Sequence, residues 1–322
     1  MTKLHKVLLA MSLAALAGHA GAARAEYPDR EIRFIVPWAP GGSTDIAARA
    51  LQGLIAEDGV KLIVENIAGG TGTIGLARVA KAAPDGYVIG MGTTSTLSLA
   101  AQGLTDLRTD QFTTIATASI DPIMLLVPKD GNTPTLESFL ERMKANPGKV
   151  SIGTPGSNNI GHIFAAMTSK AAGVDFIHVP YTGGSRVIVD LAGKQIDAGA
   201  LKPSESRGQI EAGLVTPIGV FSDQRLSFFP DVPTFKEKGY DVFPYGPVVQ
   251  MTYVVAPPGL PEPIKEKLIA VFRKAIQSDR YKAFAEQNGF FVEDVTGAAL
   301  GRKIDGMQTS FNTISTKIFK AK

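Results

Sequence analysis

Between residues 31 and 256, short runs of apolar and β-branched residues alternate with longer stretches whose apolar positions recur every three or four residues. The short runs suit buried strands and the longer spacing suits one face of a helix. Strands are expected at 31–36, 61–65, 88–92, 123–127, 150–153, 176–179, 216–221 and 253–256, and helices at 45–57, 74–82, 135–145, 160–172, 187–191 and 262–277. In the last helix Ile264, Leu268, Val271, Phe272 and Ile276 form one apolar stripe, and the preceding Pro257-Pro258-Gly259-Leu260-Pro261 suits a chain reversal into a first helical turn. Strand followed by helix, repeated along the chain, predicts an α/β fold built on largely parallel sheets.

No internal repeat, low-complexity tract or long charged run marks a boundary. Two loop-rich stretches stand out, 129–132 after Pro128 and 243–250 before the strand at 253. If the chain crosses between two domains at both, each domain is assembled from separated parts of the sequence.

Composition changes the picture at the amino end. Lys3 and Lys6, an uncharged apolar run from Val7 to Ala17 and the small-residue pattern Ala23-Arg24-Ala25 read as a cleavable export signal over residues 1–25. Eleven apolar residues are too few to span a bilayer. The rest of the chain, from Glu26 onward, is about two domains' worth. The formal charge of +3 belongs to Lys3, Lys6 and Arg24, so the remainder is neutral. A neutral surface without a basic cluster argues against nucleic acid as a partner. The absence of cysteine removes disulfides, thiolate chemistry and a lipidated cysteine at the cleavage point, so the exported protein is expected to be soluble rather than anchored. Only His162 and His178 lie beyond the signal, which excludes a His-rich metal centre.

Three strand-to-helix turns share one design, a Gly- or Asn-rich loop ahead of a helix with a hydroxyl or amide at its start: 37–45, 154–161 and 181–185. The first N–H groups of a helix lack partners and its dipole is positive there, so such turns favour carboxylates or phosphates. In an open α/β sheet they lie at the carboxyl ends of the strands, where ligands bind. The plainer role of such residues is to make short connections.

Other motifs carry less. Gly70-Thr71-Gly72-Thr73-Ile74-Gly75 matches a dinucleotide-binding fingerprint, but Asn66 to Gly69 interrupt its tight turn and the next strand ends without an acidic ribose partner. No G-x-S-x-G elbow or P-loop occurs, and His162, five residues after Ser157, suits loop bracing better than acting as a base. Asp45 suits a helix-start brace, or an acceptor for a ligand ammonium. Trp38 is either core or a pocket wall, and Lys202 and Arg186 are candidate cations, with solvated surface charge as the alternative.

These residues also carry a resemblance. Tyr27-Pro28-Asp29-Arg30, then Ile35-Val36-Pro37-Trp38-Ala39-Pro40-Gly41-Gly42-Ser43-Thr44-Asp45, resembles the amino end of Bug-family receptors, the solute-binding proteins of tripartite tricarboxylate transporters. The likeness continues through Val64-Glu65-Asn66, Gly69 to Gly75, Ala83-Pro84-Asp85-Gly86-Tyr87, His178-Val179-Pro180-Tyr181, Asp231-Val232-Pro233-Thr234 and Ala256 to Pro261, nearly the whole exported chain. It implies a periplasmic, two-lobed Venus flytrap that closes on a carboxylated solute and delivers it to membrane permease subunits, with no catalysis and no cofactor. It implies a first lobe of 26–127 plus 250–322 and a second of 128–249. From matching positions it implies ligand contacts at Gly42, Ser43, Thr44, Asp45, Ser157, Asn158, Thr182 and Gly183, with His162 at a position where the family often has His. Trp38, Gly41, Thr93, Asn159 and Lys202 complete the expected set.

Leu201-Lys202 and Arg186 depart from the family pattern and add positive potential, and Val249-Gln250-Met251-Thr252 replaces its usual Trp-Gly. The expected solute therefore has at least two anionic groups, a dicarboxylate of four to six carbons, a tricarboxylate or an aromatic dicarboxylate. A monomer is expected. A periplasmic sensor module presenting its ligand to a signalling partner shares every one of these residues, and an enzyme is the weakest alternative.

Overall fold

The computed structural model describes residues 27–129, 131–245 and 248–319, and the expected export signal lies outside them. The chain first forms β1 (Ile32–Val36), α1 (Ser43–Ala56), β2 (Leu62–Asn66), α2 (Thr73–Ala80), β3 (Val88–Thr93), α3 (Thr94–Ala101) and β4 (Thr113–Asp121). It continues as β5 (Met124–Pro128), α4 (Leu136–Ala145), β6 (Ser151–Thr154), α5 (Ile160–Ala172), β7 (Ile177–Pro180), α6 (Gly184–Ala192), β8 (Ala198–Leu201), α7 (Pro203–Glu211) and β9 (Val215–Val220). It ends with β10 (Gln250–Ala256), α8 (Glu262–Gln277), α9 (Asp279–Asn288) and α10 (Gly297–Ile314).

The strands form two five-stranded sheets, ordered β2-β1-β3-β10-β4 and β7-β6-β8-β5-β9. In each sheet one strand, β10 or β5, runs against the others, so the sheets are mixed rather than uniformly parallel. The reversal follows from the route of the chain. β4 ends at the face where the two sheets meet, so the chain enters the second sheet from that face and β5 must run away from it. β9 returns to the same face, and β10 enters the first sheet by the same geometry. The first crossing falls between Asp121 and Met124, which puts β5 in the second sheet although the hydrophobic pattern and the resemblance place 124–127 with the first lobe.

Apolar alternation accounts for the elements. β1 buries Ile32, Phe34 and Val36, and the Phe34 ring meets Phe272 of α8 edge-on at 5.5 Å. Leu268, Phe272 and Ile276 of the α8 stripe are fully buried against that sheet, with Ile264 and Val271 at its margin. Beside the second sheet Phe164 of α5, Phe221 just after β9 and Phe235 stack at 4.5 and 4.3 Å. Each such ring contributes roughly 1.5–3 kcal/mol on burial. Six further elements join those expected: α3, β4, β8, α7, α9 and α10. Among the described residues no helix is long and apolar enough to cross a membrane.

Candidate functional site

The carboxyl ends of β1, β3, β6 and β8 face one another across the gap between the sheets, so the loops that follow them meet. All three anion-friendly turns line one cavity there. Trp38, Gly42, Ser43, Thr44 and Thr93 contribute from the first half, Pro155, Asn159, Gly183, Gly184 and Lys202 from the second, and Gln250 from the start of β10. The halves are drawn close. About 40 Å3 is open to the centre of a water molecule, room for roughly three waters.

The helix starts at this cavity differ in what they leave free. α1 begins after Gly42 and α6 after Gly183, and neither glycine has a side chain to cap the first turn, so the hydroxyl caps expected at both are not there. The leading N–H groups of both helices are therefore not taken by a cap residue of their own, and the positive end of each dipole stands behind them. Gly42 has an extended backbone, φ −79°, which any residue adopts, so its lack of a side chain is not required by strain. α5, in contrast, is capped by Asn159, whose side chain accepts from the His162 N–H at 3.0 Å and donates to the Pro155 carbonyl at 2.8 Å.

Two buried polar atoms at the cavity have no hydrogen-bond partner, the Trp38 indole Nε1 and the Thr93 hydroxyl. Buried donors without partners are rare in folded proteins, and at a cavity wall they mark where a bound molecule makes its bonds. Lys202 is buried and donates from Nζ to the Ser43 hydroxyl across the gap.

Several expected residues do something else. Asp45 is 3% exposed and does not line the cavity. Its carboxylate accepts from the Gly41 N–H, the Arg49 guanidinium and the Asn66 amide, each at 2.9 Å. Burial works to raise its pKa, but these donors outweigh it and hold the carboxyl below its ordinary value. Asp45 therefore braces the loop from behind, and Gly41, exposed with φ 77°, serves that brace. Ser157 and Asn158 form a bridge between the halves. The Asn158 carbonyl accepts from Ser98 Oγ at 2.7 Å and Gln102 Nε2 at 2.9 Å, and the Ser157 carbonyl from Thr71 Oγ1 at 3.4 Å. His162 holds that bridge in shape: its Nδ1 accepts the Asn158 N–H at 3.1 Å, and its ring stacks on His178 at 3.7 Å. Thr182 and Arg186 are exposed and do not line the cavity, so Arg186 adds no positive group to its wall.

Three cavity residues escape the sequence patterns. Ser95 donates to the Gln250 side chain at 2.9 Å, and both line the wall. Glu205 comes from α7, where its carboxylate folds back to accept the Lys202 N–H at 3.3 Å. Its position three residues beyond the N-cap, after Pro203, is the one available signal, and that signal reads as helix capping. Among the described residues no group of three or more His, Asp or Glu side chains is placed to hold a metal ion.

Comparison with known proteins agrees with this geometry. The family model described as tripartite tricarboxylate transporter family receptor matches residues 46–305. A UPF0065 protein of Bordetella pertussis is 31% identical over 284 residues, covering 87% of this chain and 86% of that protein. The solved structure of the periplasmic binding protein BugD has a TM-score of 0.85 at 28% identity, covering 91% of this chain and 98% of that one. MatC from Rhodopseudomonas palustris, solved with bound malate, has a TM-score of 0.83 at 26% identity, covering 90% and 100%.

Proposed function

The chain belongs to the tripartite tricarboxylate transporter receptor family, the Bug proteins, and we propose that it captures a small di- or tricarboxylate between its two halves and delivers it to membrane permease subunits of such a transporter. Members of this family are periplasmic solute-binding proteins and not enzymes. Residues 1–25 serve as the export signal, and the receptor acts as a soluble monomer. Its lobes are 27–121 with 250–319, and 124–245.

The observation that carries the reading is the pairing of two uncapped helix starts, at Gly42 and Gly183, with the unpartnered Trp38 Nε1 and Thr93 hydroxyl around one cavity. Together with Lys202 they supply more donors than acceptors, which suits carboxylate oxygens. The malate bound to MatC, a structural neighbour, is a four-carbon dicarboxylate of the class proposed. A solute of that size exceeds the present space, so the halves part to admit it and close on it through contacts that exist only when both loops touch the ligand.

The test is thermal unfolding of protein freed of carried-over solute by denaturation and refolding, against mono-, di- and tricarboxylates, amino acids and nicotinamide cofactors. A ligand at a hundred times its dissociation constant adds about 2.7 kcal/mol, a rise of several degrees. The reading predicts a rise confined to di- or tricarboxylates. A flat carboxylate series with a response to nicotinamide cofactors would overturn it and give the Gly70–Gly75 segment a role.

A further inference from the structure

One acidic side chain stands inside a cavity otherwise furnished with donors. Glu205 lines the wall beside Lys202, Ser43 and Gly184. Its carboxylate accepts the Lys202 N–H at the start of α7 and lies beside the Ser43 N–H at the start of α1. It also rests against Gly184, the first residue of α6, where an added Cβ would overlap it. Three helix starts thus converge on one carboxylate, and that carboxylate belongs to the protein. α1 and α6 reach across the gap toward each other at this point, so Glu205 holds the groups that a solute carboxylate would use to draw the halves together.

We propose that Glu205 occupies the seat of the solute carboxylate in the closed cleft, so that binding exchanges the protein's carboxylate for the solute's. This rests on the receptor reading and deepens it, because it names the residue that sets affinity and charge preference at that site. The charged groups facing Glu205 are Lys202 on its own helix and Asp121 at the end of β4. α1 and α6 present backbone N–H groups, the Ser43 hydroxyl and a glycine there.

Burial of the Glu205 carboxyl raises its pKa, the Lys202 charge and N–H work the other way, Asp121 adds to the rise and the Ser43 N–H opposes it, with a net upward shift. A raised carboxyl binds its proton more readily in the folded protein than in the unfolded chain, so the stability it contributes is lost as pH rises and it ionises. The same direction holds for competition. An ionised Glu205 repels a solute carboxylate and contends for its donors, whereas a protonated one does neither.

The experiment is calorimetric titration of refolded wild-type protein and Glu205→Gln with malate, succinate and citrate, with glycine and lysine as monovalent and cationic controls. The substitution keeps the side-chain length and an oxygen to accept the Lys202 N–H, and a circular-dichroism melt of the variant checks that it folds. The proposal predicts that Glu205→Gln binds the best dicarboxylate at least tenfold more tightly than wild type. Wild-type affinity for the fully ionised solute falls as pH rises and Glu205 loses its proton, and that of the variant changes far less. The wild-type pH series is informative on its own if the variant does not fold. Equal affinity of the two proteins, or wild-type affinity independent of pH, overturns the exchange and leaves the receptor reading intact. Weaker binding by the variant, or a preference for lysine that it abolishes, shows that Glu205 reads a positive group and also overturns it. No binding of any carboxylate by either protein overturns both readings.

Discussion

The loop at 38–45 and the loop at 155–162 have the same design in sequence, glycine with hydroxyl or amide residues ahead of a helix, yet they do opposite work. At the first, glycine occupies the cap position and a carboxylate behind the loop, Asp45, holds its shape, so the leading N–H groups of α1 are not taken by their own loop and face the cleft, where the Glu205 carboxylate of the other half lies beside the Ser43 N–H. At the second, Asn159 fills the cap of α5 itself, and the loop tip turns its carbonyls to Thr71, Ser98 and Gln102 of the other half. One loop is a receiving surface and the other a latch. The single difference that separates them is whether the cap residue can satisfy its own helix.

Removing the brace breaks the first loop. Asp45→Ala removes the buried carboxylate shared by the Gly41 N–H, the Arg49 guanidinium and the Asn66 amide and is expected to destabilise the protein by about 2 kcal/mol, read as a drop of several degrees in thermal unfolding. Because the Asp45 carboxyl sits below its ordinary value in the folded protein, its contribution is complete above the unfolded pKa of about 3.9 and is lost as pH falls through the folded one. The gap between wild type and variant is therefore constant near neutrality and closes in acid.

Giving the first loop the cap of the second tests the contrast directly. Gly42→Asn meets no backbone strain, and its Cβ would find only the Ala39 carbonyl at 3.4 Å, an ordinary contact. It is expected to leave stability within a few tenths of a kcal/mol and to weaken carboxylate binding by about thirtyfold, on the order of 2 kcal/mol. Calorimetry with malate reads the second number and chemical denaturation the first.

Opening the latch has a smaller effect. Ser98→Ala combined with Gln102→Leu removes both donors to the Asn158 carbonyl and should weaken solute binding by about fivefold, roughly 1 kcal/mol, through a less stable closed state. The unfolding midpoint of the solute-free protein should barely change. The smallest expected effect is the reverse swap, Asn159→Gly. It costs a few tenths of a kcal/mol in α5 and leaves solute affinity within about twofold, because that helix start contributes a wall and not a donor pair.

The α/β class follows from the strand-and-helix pattern visible in the sequence, since buried strands such as β1 and β5 are nearly continuous apolar runs, whereas the first crossing lies before β5 and not in the loop-rich stretch after it. The strand β4 escapes that pattern because Thr113, Thr114, Thr117 and Ser119 dilute its apolar positions, although Ile115, Ala116 and Ala118 are buried. α7 and α9 escape it because their sequences are mostly polar and each buries only a few residues. The direction of β5 and β10 was not legible at all, since strand polarity depends on where the chain crosses and not on composition. At the site, the glycine-rich turns announced a helix start open to an anion, and eight of the expected residues line the cavity. Glu205 gave no such notice. A glutamate three residues into a helix signals a capping box, and only the packing of α1 and α6 against it turns that cap into a carboxylate seat.

The most direct test is a crystal structure of the refolded receptor grown with the tightest-binding dicarboxylate. The account predicts one carboxylate of the solute within hydrogen-bond distance of the Ser43 and Thr44 N–H groups and of the Gly184 and Ser185 N–H groups, with both halves in contact with the same molecule. A solute held by one half alone, or bound outside the cavity between the sheets, would contradict it.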